Sequence, residues 1–164
     1  MGEIRRVMIL GAGAVGAYYA TQFYNQAFFT TLLIAKGSRA RGLVDEGLVV
    51  NGRQYFIPVA YPDHNEEEAD LIIVAVKQHH LEQAIPDLAN FIGDQTVILS
   101  MMNGLDSEAY IGSIYGPEKV MYGLAVGIDA LRDKNTIEFT KPGKHFFGEA
   151  ENSILSERVK RVQE

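Results

Sequence analysis

The fold is decided by the stretch Val7-Met8-Ile9-Leu10-Gly11-Ala12-Gly13-Ala14-Val15-Gly16. An apolar run that predicts a strand leads into the pattern G-x-G-x-x-G, and a helix-like sequence begins near Ala14. In this context the first glycine permits a tight turn, the second lets the backbone approach a pyrophosphate, and the third lets the helix pack on the strand. The helix N-terminus then offers free N–H groups to the phosphates. The stretch therefore predicts a dinucleotide site; the alternative is a glycine turn with a purely structural role.

The residues after the second predicted strand bear on the choice of dinucleotide. That strand covers residues 28–35 and ends about 20 residues beyond the fingerprint, where NAD-binding folds place an acidic residue on the ribose 2′-OH. Lys36 holds this position instead, and Arg39 and Arg41 follow it. A cationic pocket suits a 2′-phosphate, so NADP is predicted over NAD. The alternative is that these three cations form the solvated start of a helix.

Strands and helices alternate along the rest of the chain. Apolar runs at residues 71–76 and 96–100 predict two further buried strands. A helix is predicted over residues 79–91, with a kink or break at Pro86, and another over residues 153–162. This alternation predicts an α/β fold of the Rossmann type, a doubly wound and mostly parallel sheet with helices on both faces.

Ligands of such open sheets bind beyond the carboxyl ends of the strands, so the residues that follow the third and fourth strands are candidates. Lys77 can bring a positive charge to a phosphate or a carboxylate, and Asn103 can donate and accept hydrogen bonds near a nicotinamide or a ketone. The alternatives are an exposed lysine at a helix start and a helix-entry cap. His79 and His80 point in different directions on a helix, so no metal site is predicted.

Length and composition bound the class of protein. With 164 residues, 47% hydrophobic and 22% charged, the chain can form one soluble domain with a sizeable core. No apolar run is long enough to span a bilayer, and the net charge of −6 argues against general binding of nucleic acid. The chain has no cysteine, which excludes a disulfide framework and a thiolate site. These features predict a cytoplasmic protein that binds neither membranes nor nucleic acid.

Four segments together resemble the ketopantoate reductase family of the 6-phosphogluconate dehydrogenase-like superfamily. They are GAGAVGAYYA near the start, AVKQHHLEQA after strand three, MNGLDSE after strand four and KPGKHFFGE near the end. The resemblance covers essentially the whole chain in order. It implies that Gly11 to Gly16 cradle the pyrophosphate of NADP, that Lys36 contacts the 2′-phosphate and that Lys77 also contacts the cofactor. It further implies that Asn103 lies beside both the nicotinamide and the substrate.

The resemblance also implies an activity. Members of the family reduce the ketone of a 2-oxo acid, 2-dehydropantoate in the named case, to a 2-hydroxy acid by hydride transfer from NADPH, on the pantothenate route to coenzyme A. Their catalytic lysine lies on a helical second domain. Residues 1–164 are therefore expected to be a truncated form, an NADP-binding domain without that helical domain, with no catalytic residue and no reductase activity alone. The surface that the helical domain would cover predicts self-association, for example as a homodimer.

The identity of the substrate and two other functions stay open. Met102 and the segment 124–126 depart from the family pattern, which leaves the particular 2-oxo acid undecided. The chain could also be a stand-alone NADP-binding or sensing module. A third alternative is another dehydrogenase of the superfamily, acting on a sugar phosphate or an acyl thioester, where an acidic residue near position 36 would often favour NAD. Lys36 counts against this third alternative.

Overall fold

The computed structural model describes residues 2–102 and 106–164. Its strands are β1 (Arg6–Leu10), β2 (Thr30–Ile34), β3 (Leu48–Val50), β4 (Arg53–Tyr55), β5 (Val59–Ala60), β6 (Leu71–Val74), β7 (Val97–Ser100), β8 (Val120–Val126), β9 (Leu131–Asp133), β10 (Thr136–Glu138) and β11 (Lys144–Gly148). Its α-helices are α1 (Ala14–Tyr24), α2 (Gly37–Asp45), α3 (Leu81–Ala84), α4 (Ser107–Tyr115) and α5 (Glu157–Gln163). Short 3₁₀ helices cover Gln78–His80, Ile85–Phe91 and Pro117–Lys119.

The main sheet has seven strands in the order β11-β8-β7-β6-β1-β2-β5. All neighbouring pairs are parallel except β11 with β8. The four residues of β6 and the four of β7 are all buried, because helices cover both faces of the sheet. Residues of α1 and α5 belong to the core on one face, and residues of α3 and α4 to the core on the other. The predicted Rossmann-type α/β fold is confirmed.

The order of the strands creates a crevice. The chain passes from β1 to its neighbour β2 on one side and later crosses to β6 on the other side of β1. The direction of winding therefore reverses between β1 and β6. In open α/β sheets, ligands bind at such a switch point, outside the carboxyl ends of the strands.

A smaller sheet of four strands, in the order β4-β3-β10-β9, packs beside α1. β3 and β4 form a hairpin, and β10 pairs with β3 in parallel and with β9 antiparallel. Leu48, Val50 and Ile137 bury their side chains in the core that α1 shares with the main sheet. The small sheet is thereby held next to the glycine turn that precedes α1.

Two helices differ from the sequence expectation. The helix predicted over residues 79–91 is α-helical only at α3, with 3₁₀ helix on both sides. Pro86 lacks an N–H group and its ring disfavours a continued α-helix, so the predicted break is confirmed. The last helix begins at Glu157 rather than at residue 153, because the hydroxyl of Ser156 accepts a hydrogen bond from the N–H of Val159 and caps it there.

In the described part of the chain, no helix combines the length and the hydrophobicity that crossing a bilayer requires.

Candidate functional site

A cleft of about 410 Å³ opens at the switch point between β1 and β6. The turn Gly11-Ala12-Gly13, directly after β1, lines one side of it. Ile34 and Ala35, at the end of β2, line a second side, and Val76 and Lys77, after β6, line a third. The structure therefore brings the glycine fingerprint and Lys77 to one cleft, although Lys77 is 61 positions beyond Gly16 in the sequence.

The three fingerprint glycines meet different surroundings. Gly11 has a φ of +99°, and a Cβ there would lie 2.7 Å from the carbonyl oxygen of Ala75. A Cβ on Gly16 would overlap the carbonyl oxygen of Gly11. By contrast, a Cβ on Gly13 would meet no atom within 4 Å. Gly11 and Gly16 are thus required because a side chain at either position would clash with the backbone. Gly13 has no such contact and leaves open space where it lines the cleft.

The N-terminus of α1 lies at this turn with its polar groups available. The first turn of the helix contains no acidic residue, and no side chain in the described part of the chain caps it. The N–H of Ala17 donates to the carbonyl of Gly13 at 2.9 Å, so the N–H groups that precede it have no carbonyl partner within the helix. Together with the helix dipole, these N–H groups favour an anion at Ala14 and Val15.

Lys36 lies at the rim of the cleft rather than among the residues that line it. It is the residue before α2, and its Nζ donates to Oδ1 of Asp87 at 2.6 Å. The side chain of Lys36 is 57% exposed and that of Asp87 is 17% exposed, so the ion pair is open to water on the lysine side only. A phosphate at the cleft would compete with Asp87 for the ammonium group of Lys36.

Two arginines line the cleft beside Ala12. The half-buried Arg39 donates through Nη2 to the carbonyl of Ala12 at 2.8 Å and through Nη1 to Oδ1 of Asn135 at 2.7 Å. Arg132, on β9 of the small sheet, lines the same cleft and is exposed. Burial and the nearby charge of Arg132 both lower the pKa of Arg39. Arg39 belongs to the cations predicted after β2, whereas Arg132 was not predicted, since no local pattern connects β9 with the glycine turn.

The predicted role of Asn103 cannot be placed, because this residue lies outside the described residues. A second groove, of about 390 Å³, is lined by Glu108 of α4 and by residues of β8 and β11. Glu108 is buried, and its Oε2 accepts a hydrogen bond from the hydroxyl of Ser107 at 2.9 Å. Ser107 is in turn 3.1 Å from the hydroxyl of Ser100, at the end of β7. These groups fix the start of α4 against the carboxyl end of β7.

A glycine turn at a switch point, with a free helix N-terminus and a cleft beside it, defines a dinucleotide-binding fold of the Rossmann type. The comparisons with known proteins identify the family. The sequence profile "Ketopantoate reductase PanE/ApbA" matches residues 7–152. The chain therefore belongs to this family of oxidoreductases, and the resemblance inferred from the four sequence segments is confirmed.

Three individual proteins illustrate the similarity. "Uncharacterized oxidoreductase YkpB" of Bacillus subtilis (strain 168) is 29% identical over 97% of this chain and 53% of its own length. A "2-dehydropantoate 2-reductase" of Streptococcus pyogenes serotype M3 is 30% identical over 73% of this chain and 40% of its own length. D-mandelate dehydrogenase, solved with NADH and anilino(oxo)acetate, superposes with a TM-score of 0.80 at 20% identity, covering 96% of this chain and 55% of that one. The chain thus spans about half the length of these relatives.

Proposed function

We propose that this chain binds NADPH in the cleft between β1 and β6, as the cofactor-binding part of a reductase that acts on a 2-oxo acid. The observation that carries the proposal is the free N-terminus of α1, presented by the turn Gly11-Ala12-Gly13 at the switch point of the sheet. The N–H groups of Ala14, Val15 and Gly16 would hold the diphosphate, with the charge of Lys77 facing it across the cleft.

The cations at the adenosine end favour NADPH over NADH. Position 36 carries a lysine where an acidic side chain would hold the 2′-OH of NAD, and Arg39 and Arg132 line the cleft. D-mandelate dehydrogenase was solved with NADH, so the fold itself does not fix the choice of dinucleotide. In our proposal the residues of this chain make that choice through their charge.

The substrate class follows from the family and from the chemistry of reduction. NADPH, when bound, supplies a hydride. A ketone that accepts a hydride becomes an alkoxide, which needs hydrogen-bond donors and a proton. We propose that Asn103, which follows β7, hydrogen-bonds the nicotinamide and the substrate. 2-Dehydropantoate is the substrate that the relatives' names favour, and the pantothenate route is then the setting of the reaction.

Calorimetric titration with NADPH and with NADH tests this proposal. We expect NADPH to bind more tightly, and Lys36→Glu to weaken NADPH about tenfold without weakening NADH, since a charge-assisted hydrogen bond to the 2′-phosphate is lost. Arg41→Glu is the matched control, because it makes the same charge change on α2 at an exposed residue outside the cleft. A preference for NADH, or no binding of either dinucleotide, would refute the proposal.

A further inference from the structure

We propose that Arg132, on β9 of the small sheet, joins Arg39 in a receptor for the 2′-phosphate of the cofactor. In this account the small sheet, and not only the strands and helices of the dinucleotide fold, selects the phosphorylated cofactor. The inference rests on the proposed function, since it concerns how the same cleft distinguishes NADPH from NADH.

Arg39 is held in place by neutral acceptors. Its two terminal nitrogens donate to the carbonyl of Ala12 and to the side chain of Asn135. Asn135 is itself fixed, because its Nδ2 donates to Oε2 of Glu46 at 3.0 Å. Arg39 forms no ion pair with a carboxylate among residues 2–102 and 106–164. A guanidinium has five N–H donors, so Arg39 is oriented toward the cleft and still has donors for an anion.

The hairpin of β9 and β10 brings a second arginine, Arg132, to the same cleft. The two strands are joined by Lys134 and Asn135, and Lys134 adopts a positive φ of 51°. The Nε of Arg132 donates to the carbonyl of Lys134 at 2.6 Å, which anchors one edge of its guanidinium. Its terminal nitrogens make no hydrogen bond to the residues that the structure describes. One tight turn thus positions both Arg132 and Asn135, the residue that holds Arg39.

Charge gives this arrangement its specificity. Arg39 and Arg132 repel each other, and within the described ranges neither has a carboxylate partner. A phosphate monoester carries a charge of about −1.5 to −2 near neutral pH and presents three acceptor oxygens. It would neutralise both guanidinium groups, whereas a ribose hydroxyl would neutralise neither. Lys36 differs from these two arginines in that it already has a carboxylate partner, Asp87, at the rim of the cleft.

The test is a titration of the wild-type chain and of Arg132→Gln with NADPH, NADH, 2′,5′-ADP and ADP. Arg53→Gln is the matched control, because Arg53 is an exposed arginine of the same small sheet that stacks on Tyr55 and does not line the cleft. We expect Arg132→Gln to weaken NADPH and 2′,5′-ADP about tenfold or more and to leave NADH and ADP within about twofold. Arg53→Gln should change none of the four.

The outcomes separate the two proposals. If wild type prefers NADPH and Arg132→Gln retains that preference, the inference about the small sheet is overturned while the proposed function stands. An equal loss of all four ligands, at an unchanged melting temperature, also overturns it. Arg39→Lys keeps the charge but loses the planar fork, and is expected to weaken 2′,5′-ADP more than ADP. If wild type binds neither dinucleotide, the proposed function fails as well.

Discussion

Gly16 provides a sharp test of the glycine turn. A Cβ at this position would overlap the carbonyl oxygen of Gly11 and lie 2.9 Å from its carbonyl carbon. Both atoms belong to the backbone, so no side chain can move aside and the turn itself must shift. Overpacking of this kind costs about 3 kcal/mol at its upper end, offset by about 1 kcal/mol of improved helix propensity. We expect Gly16→Ala to lower the free energy of unfolding by about 2 kcal/mol and the melting temperature by about 4–8 °C.

Gly13 supplies the control within the same turn. A Cβ there meets nothing within 4 Å, and replacing a helix-capping glycine by alanine costs about 1 kcal/mol or less. In the proposed complex, the added methyl group would instead occupy the space of the diphosphate. We expect Gly13→Ala to keep nearly the wild-type melting temperature, measured by circular dichroism, and to lose NADPH affinity in calorimetry. The reasoning is refuted if Gly16→Ala melts like wild type, or if Gly13→Ala binds NADPH as tightly as wild type.

Two further predictions concern stability. Arg161 is buried and donates to Asp70 and to two backbone carbonyls, so Arg161→Leu should lower the free energy of unfolding in urea by about 2–3 kcal/mol. Lys160→Leu, on the exposed side of the same helix, should change the free energy of unfolding little. If the two variants are destabilised equally, the stabilising role of the Arg161 hydrogen bonds is contradicted. Asp129 accepts a hydrogen bond from the hydroxyl of Thr140 and another from the N–H of Lys141. These two bonds, the first more than the second, lower the pKa of Asp129 to about 2. Since the unfolded pKa is about 3.9, the advantage of wild type over Asp129→Asn should be full above pH 5 and vanish as the pH falls through 4 to 2. A difference in melting temperature that does not change with pH would contradict this prediction.

The core of the fold could be predicted from sequence because its signals are local. Residues 7–16 contain the strand, the turn and the helix start in one continuous stretch, and each glycine has a steric or ligand-related reason to be there. The apolar runs that became β6 and β7 are buried on both faces and therefore stand out without any partner being known. Pro86 likewise acts on its own neighbours, so the break after α3 followed from chemistry alone.

The cation arrangement could not be predicted, because it depends on contacts between distant parts of the chain. Lys36 and its partner Asp87 are 51 residues apart, and Arg39 and Asn135 are 96 residues apart. The strands of the small sheet are short, and the pairing of β10 with β3 is fixed only once both pack on α1. Arg132 therefore reaches the cleft through tertiary structure, which no spacing in the sequence shows.

The central claim, that the diphosphate of a dinucleotide lies on the N-terminus of α1, is tested most directly by two-dimensional ¹H–¹⁵N NMR during a titration with NADPH. A different cavity, of about 440 Å³ and lined by Tyr19, Phe23 and Phe29, offers an alternative place for a ligand. We predict that the largest amide shifts fall on residues 11–17, with smaller ones at Lys77. Shifts that concentrate on the aromatic cavity, while the amides of residues 11–17 stay unmoved, would contradict the account.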